Sequence, residues 1–135
     1  MRSEDVQSVD TNVILRLVLG DVPSQRKRAI NLLLNGHRYF VPEHVISEAV
    51  FTMERGQYKI GREKIADSLC SILDNKCIVY DKELFNEVFP YYVSHPRLSF
   101  VDCLLGFEVA KTQREPLWTF DQDFAKQSPT AKLVP

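Results

Sequence analysis

Four short apolar runs, "VQSV", "RYFV", "CIVY" and "PLWTF", with a fifth, "KLV", near the end, are separated by longer segments whose apolar residues recur at helical spacing. This alternation constrains the fold more than any other feature. Strands that take turns with helices build a parallel sheet, because a parallel neighbour can be reached only through a long crossover, usually a helix. The crossovers should be right-handed. The expected fold class is therefore α/β: a central, mostly parallel sheet of four or five strands flanked by helices.

The helical segments carry their own signals. "TNVILRLVLG" is too long and too uniformly apolar for one strand and ends at Gly20, which predicts a mostly buried helix. "DVPSQRKRAINLLLNG" offers a start at Pro23–Ser24 and a stop at Gly36. Pro42 suits a first helical turn, and Val45, Ile46, Ala49, Val50 and Met53 form one stripe behind it. Ile65, Ala66, Leu69, Ile72 and Leu73 form another. "KELFNEVFPYYV" is a helix that Pro90 is expected to end or kink, and "LSFVDCLLGFEVAKTQ" a further helix. No repeat, low-complexity tract or long linker divides the chain, and 135 residues suit a single domain, 1–135.

Composition removes several function classes. Three widely spaced cysteines, Cys70, Cys77 and Cys103, argue against a disulfide scaffold and a structural zinc site, and fit a reducing cytoplasm. No apolar run is long enough to span a bilayer and the N-terminus lacks an apolar signal core, so a cytoplasmic protein without membrane attachment is expected. With a net charge of −1, any nucleic-acid binding must rest on a local patch. There is no "GxxxxGK[ST]" phosphate loop.

The chemistry lies in the acids. In open α/β sheets, ligands sit outside the carboxyl ends of the strands. Asp10 directly follows the first strand and Asp121 the fourth, while Glu48 and Asp102 lie in early helical turns. Each has a structural alternative. Asp10 suits a helix N-cap, and Asp121 a turn or the cap of a short helix. Asp102 has the spacing of a capping box with Ser99. Glu48 lies off its apolar stripe, towards His44 and Thr52, as on a solvated helix face. As a set, however, crowded carboxylates repel one another and need neutralising. No run of Lys or Arg adjoins them, although Arg16 could reach towards Asp10; a hard cation such as Mg²⁺ or Mn²⁺ is the other solution.

"VDTNVILRLVLGD", "VPEHVISEAVFTM", "SFVDCLLGFEVAK" and "TFDQDFAK", in this order from Val9 to Lys126, resemble the PIN domain, and within it the VapC-like toxins of toxin–antitoxin pairs. The resemblance implies a three-layer α/β sandwich and a metal-dependent ribonuclease binding one or two Mg²⁺ or Mn²⁺ ions. It makes Asp10, Glu48, Asp102 and Asp121 the four catalytic acids. Asp10, Asp102 and Asp121 would be the metal ligands, with Glu48 and Asp123 as further candidates. Asn12 and Thr119 match supporting polar positions. It also implies an RNA substrate, a small antitoxin protein and a homodimer. The chain departs from the family pattern at Ser99, often Asp, and Cys103, often Ala.

Phosphate contacts are expected from Arg26, Lys27 and Arg28 and from Lys59, Arg62 and Lys64, which otherwise read as solvated faces. Phe85, Phe89, Tyr91 and Tyr92 fit either a core or a protein interface. The competing functional reading is a PIN-like module that binds RNA or protein without cleaving it. A receiver domain or a haloacid-dehalogenase-type phosphatase would need acids that "SVDTN" does not supply.

Overall fold

The computed structural model describes residues 6–135. They form two compact units, which divide between Tyr80 and Asp81.

In the first unit, β1 (Val6–Ser8), β2 (Arg38–Phe40) and β3 (Ile78–Val79) make a sheet with β2 in the centre, and both pairings are parallel. The crossovers supply α1 (Thr11–Leu19) and α2 (Pro23–Leu33), then α3 (Glu43–Glu54) and α4 (Arg62–Leu73). α1 is confined by its ends. The Asp10 carboxylate accepts the Val13 amide at the start, and Gly20, at φ +63°, donates its amide to the Arg16 carbonyl at the end. A side chain at that left-handed position would be strained, which explains the stop signal. The α3 stripe is buried as expected, with Ala49, Val50 and Met53 fully enclosed. Tyr39 on β2 is also enclosed, and its hydroxyl lies 2.8 Å from Asn35 Oδ1 and 3.1 Å from the Leu32 carbonyl. The single hydroxyl proton can go to either acceptor, which satisfies a polar tip that would be costly to bury alone.

The second unit holds α5 (Lys82–Ser94), α6 (Phe100–Thr112), β4 (Leu117–Thr119), α7 (Gln122–Gln127) and β5 (Ala131–Leu133). β4 and β5 pair in parallel, with Trp118 opposite Lys132. The strands are those expected, but they hydrogen-bond as a sheet of three and a sheet of two.

Two readings left open by the sequence are narrowed here. α5 continues past Pro90 to Ser94. Pro90 is exposed, so its ring needs no space in the core and water can bond the carbonyl left without an amide donor. Phe85, Phe89 and Tyr92 belong to the core rather than to an interface: the three rings surround Phe100 at centroid distances of 6.3, 5.3 and 5.2 Å. Burial of each such ring contributes about 1.5–3 kcal/mol. Tyr91 is half-buried and donates its hydroxyl to the Gln127 carbonyl.

α7 and β5 are tied to α6 by hydroxyls. Thr130 Oγ1 lies 3.3 Å from the Gly106 carbonyl and 3.0 Å from Ser128 Oγ. Gly106 permits this approach, since a Cβ there would come within 3.2 Å of Ser128 Oγ.

Candidate active site

In the first unit Asp10 and its neighbour Thr11 begin α1, and Thr11 bonds Glu48. Asp10 caps α1 through Oδ1, 3.2 Å from the Val13 amide. Thr11, the next residue, donates its hydroxyl to Glu48 Oε2 at 3.2 Å, across the packed α1 and α3. Glu48 Oε1 lies 2.8 Å from His44 Nε2, one helical turn earlier. The other Asp10 oxygen has no bond among the described residues. The capping interpretation of Asp10 is therefore correct and leaves half of the carboxylate available. Glu48 has both oxygens engaged.

Thr11 was missed by sequence reasoning as a support for Glu48. Its adjacency to Asp10 was visible, but the 37-residue separation from Glu48 hides the contact in the sequence. Asn12, expected to support the acids, is exposed on the first turn of α1 and lines a cavity between α1 and α2. Arg16 turns away from Asp10: its Nη1 pairs with Asp21 at 3.1 Å. Tyr58 donates to the same carboxylate at 2.7 Å, and this hydrogen bond, with help from Arg16, holds the Asp21 carboxyl below its ordinary pKa.

In the second unit Ser99 caps α6, accepting the Asp102 amide at 3.1 Å. The return bond of a capping box is absent among the described residues, so the half-buried Asp102 carboxylate has no partner there. It lies on the wall of a largely apolar cavity of about 170 Å³, with Tyr91, Phe107 and Phe124. Burial raises the Tyr91 phenol pKa, keeping it a neutral donor. Phe124 also links this wall to Asp121, whose Oδ1 accepts the Phe124 amide at 3.0 Å as the cap of α7. Thr119 accepts the Asp121 amide at 3.0 Å and so fixes the backbone on which that carboxylate is carried. Asp123 faces Arg97 loosely, at 3.9 Å, with both side chains exposed.

Of the basic candidates, Arg26, Lys27 and Arg28 lie on the exposed face of α2, where Arg26 leans over Gly20. Lys59 and Lys64 are exposed, and Arg62, the first residue of α4, is half-buried.

The four principal acids are hard oxygen donors, and Asp10 and Asp121 each keep one oxygen without a partner among the described residues. Within neither unit do the described residues gather three or more His, Cys, Asp or Glu side chains able to hold a metal. Oxygen donors of this kind suit a hard divalent cation.

Residues 8–128 match the family model for the PIN domain. The chain is also 30% identical, over 122 residues, to the VapC ribonuclease of Aquifex aeolicus (strain VF5), a match covering 87% of this chain and 89% of that protein. No helix among the described residues is long and apolar enough to cross a membrane. With the acids in the order the motifs predicted, residues 8–128 matching the family model and the VapC relative covering most of its length, the chain belongs to the PIN domain family.

Proposed function

We propose that the chain is an Mg²⁺- or Mn²⁺-dependent endoribonuclease, the toxin of a toxin–antitoxin pair, and that residues 1–135 act as a single PIN domain. The observation that carries this reading is the state of the acids: Asp10 and Asp121 are fixed by backbone amides through one oxygen and retain the other. Similarity to a VapC ribonuclease over nearly the whole chain supports it.

In this reading Asp10, Asp102 and Asp121 hold the ion, with Asp123 as a further ligand. When bound, the ion supplies Lewis-acid stabilisation of phosphoryl oxygens and eases deprotonation of a water nucleophile. Glu48, held by Thr11 and His44, orients that water and accepts its proton. Thr119 keeps the Asp121 backbone in place, and Asn12 supports the same end of α1. Exposed Arg26, Lys27, Arg28, Lys59 and Lys64, with Arg62, provide charge for the RNA backbone.

The test is cleavage of a mixed RNA pool by the purified chain with Mg²⁺, with Mn²⁺ and with chelator. Cleavage that requires either ion and stops with chelator is the expected result. Intact RNA under all three conditions would reject the enzyme. The partners implied are a small antitoxin protein and a second copy of this chain. Relief of growth arrest by a co-expressed small neighbouring gene, and a dimer mass in sedimentation, test them.

A further inference from the structure

One cavity of the first unit is not accounted for by the acids. α1 and α2 flank an open cavity of about 390 Å³, where Asn12, Arg16, Gln25 and Arg28 border an apolar surface of Val13, Ala29 and Leu32. Arg16 Nε is buried and without a hydrogen-bond partner, although the same guanidinium is anchored to Asp21 through Nη1. Arg28 has no carboxylate partner among the described residues. Asp21 offsets the Arg16 charge, so Arg28 leaves the cavity with net positive charge.

We propose that this cavity is a phosphate-binding subsite, and that its occupant is a backbone phosphate of the RNA strand beside the cleaved bond. Two guanidinium groups and two side-chain amides, on two helices, can supply donors from several directions, as a multi-oxygen anion requires. Planar guanidinium forks suit phosphate better than a point charge would. The placement along α1 supports an RNA occupant. Asp10 caps the helix, Asn12 is in its first turn, and Arg16 follows about 9 Å from Asp10 along the axis at the usual helical rise. The strand's identity rests on the ribonuclease reading; the phosphate chemistry does not. Of the basic residues predicted from sequence, this selects Arg28 and adds Arg16 and Gln25.

The experiment has two arms. In the first, a short fluorescein-labelled single-stranded RNA is titrated with the full chain carrying Asp10→Asn, which keeps the RNA intact, over a range of salt. Adding Arg28→Gln, an exposed change, should weaken binding about tenfold, as expected for losing a charge-assisted hydrogen bond. It should also lower the slope of log affinity against log salt by about 0.7. In the second arm, the Arg16 Nε–H resonance of the unmodified chain is followed by ¹⁵N NMR with sodium phosphate or sodium acetate at matched ionic strength. A saturable phosphate shift that acetate does not reproduce, and that Arg28→Gln removes, supports the site. A phosphate shift with RNA binding insensitive to Arg28→Gln assigns the site to free phosphate and overturns the RNA occupant. An equal response to acetate overturns phosphate recognition in favour of a carboxylate partner such as an acidic peptide. No response in either arm overturns the proposal entirely. Failure of the ribonuclease reading is seen separately, as absent cleavage by the unmodified chain, and the NMR arm still decides the cavity.

Discussion

In the proposed nuclease, Asp10 has two roles that substitutions can separate. As a cap it provides one hydrogen bond, Oδ1 to the Val13 amide at 3.2 Å, and a negative charge at the start of a nine-residue helix. Asp10→Ala removes both. Loss of an N-cap costs about 0.5–2 kcal/mol, and this long, exposed bond points to about 1 kcal/mol. Asp10→Asn keeps an acceptor oxygen and loses only the charge–dipole interaction, about 0.3–1 kcal/mol. Asp10→Ser also keeps the cap, with no carboxylate. Urea unfolding should therefore rank Asn and Ser close to the parent and Ala below them. Cleavage should follow a different order. Groups one step removed from a metal are already worth about 10–100-fold, so all three variants should lose about a hundredfold or more of Mg²⁺-dependent activity. The reasoning fails if Asp10→Asn cleaves RNA near the parental rate, or if activity across the three variants simply follows stability.

Other expectations concern the scaffold. Phe100→Ala, at the centre of three rings, should cost about 3–5 kcal/mol, measured by urea unfolding. The hydrogen bond from Lys111 Nζ at 2.9 Å holds the Asp81 carboxyl below its usual pKa of 3.8. Because the folded pKa is the lower one, the stabilisation is present above the ordinary carboxylate range. It disappears as pH falls through the folded value, so acid unfolding of Asp81→Asn should show a weaker pH dependence below about pH 4. Burial, then Asp74 and Asp67, raises the Cys70 thiol above 9.0. Its alkylation should be slow at pH 8 and still accelerating beyond pH 9, as read by mass spectrometry of the modified peptide.

Most of the fold was legible because its signals are local. The Asp10 cap, the Gly20 stop, the α3 stripe and the five strand runs can each be read within a few residues. Pro90 left an end or a kink open, because the local rule says nothing of exposure; the exposed ring lies within a helix that runs on to Ser94. The aromatic segment of α5 was ambiguous until Phe100 supplied a partner from the next helix. At the site, the acids were visible as types in motifs, but their hydrogen-bond partners were not. The Thr11–Glu48 bond and the α1–α2 cavity depend on tertiary packing, which leaves no periodic trace. Arg16 also shows why reach alone is weak evidence: Asp21, five residues on and supported by Tyr58, takes the guanidinium first.

The structural alternatives for the acids therefore become part of the functional argument. A carboxylate on a flexible side chain must lose rotamer freedom each time it gathers a cation, and that cost opposes binding. Asp10 and Asp121 have already lost much of that freedom, since a backbone amide holds one oxygen of each. Thr119 further fixes the Asp121 main chain, while Ser99 performs the capping of α6 and leaves the Asp102 carboxylate uncommitted. A helix start so built also places a partial positive charge beside the carboxylate, without a Lys or Arg that would compete with a metal. In the proposed nuclease, capping and coordination are thus complementary uses of the same residue. This accounts for an acid at the end of an apolar strand more fully than either use alone.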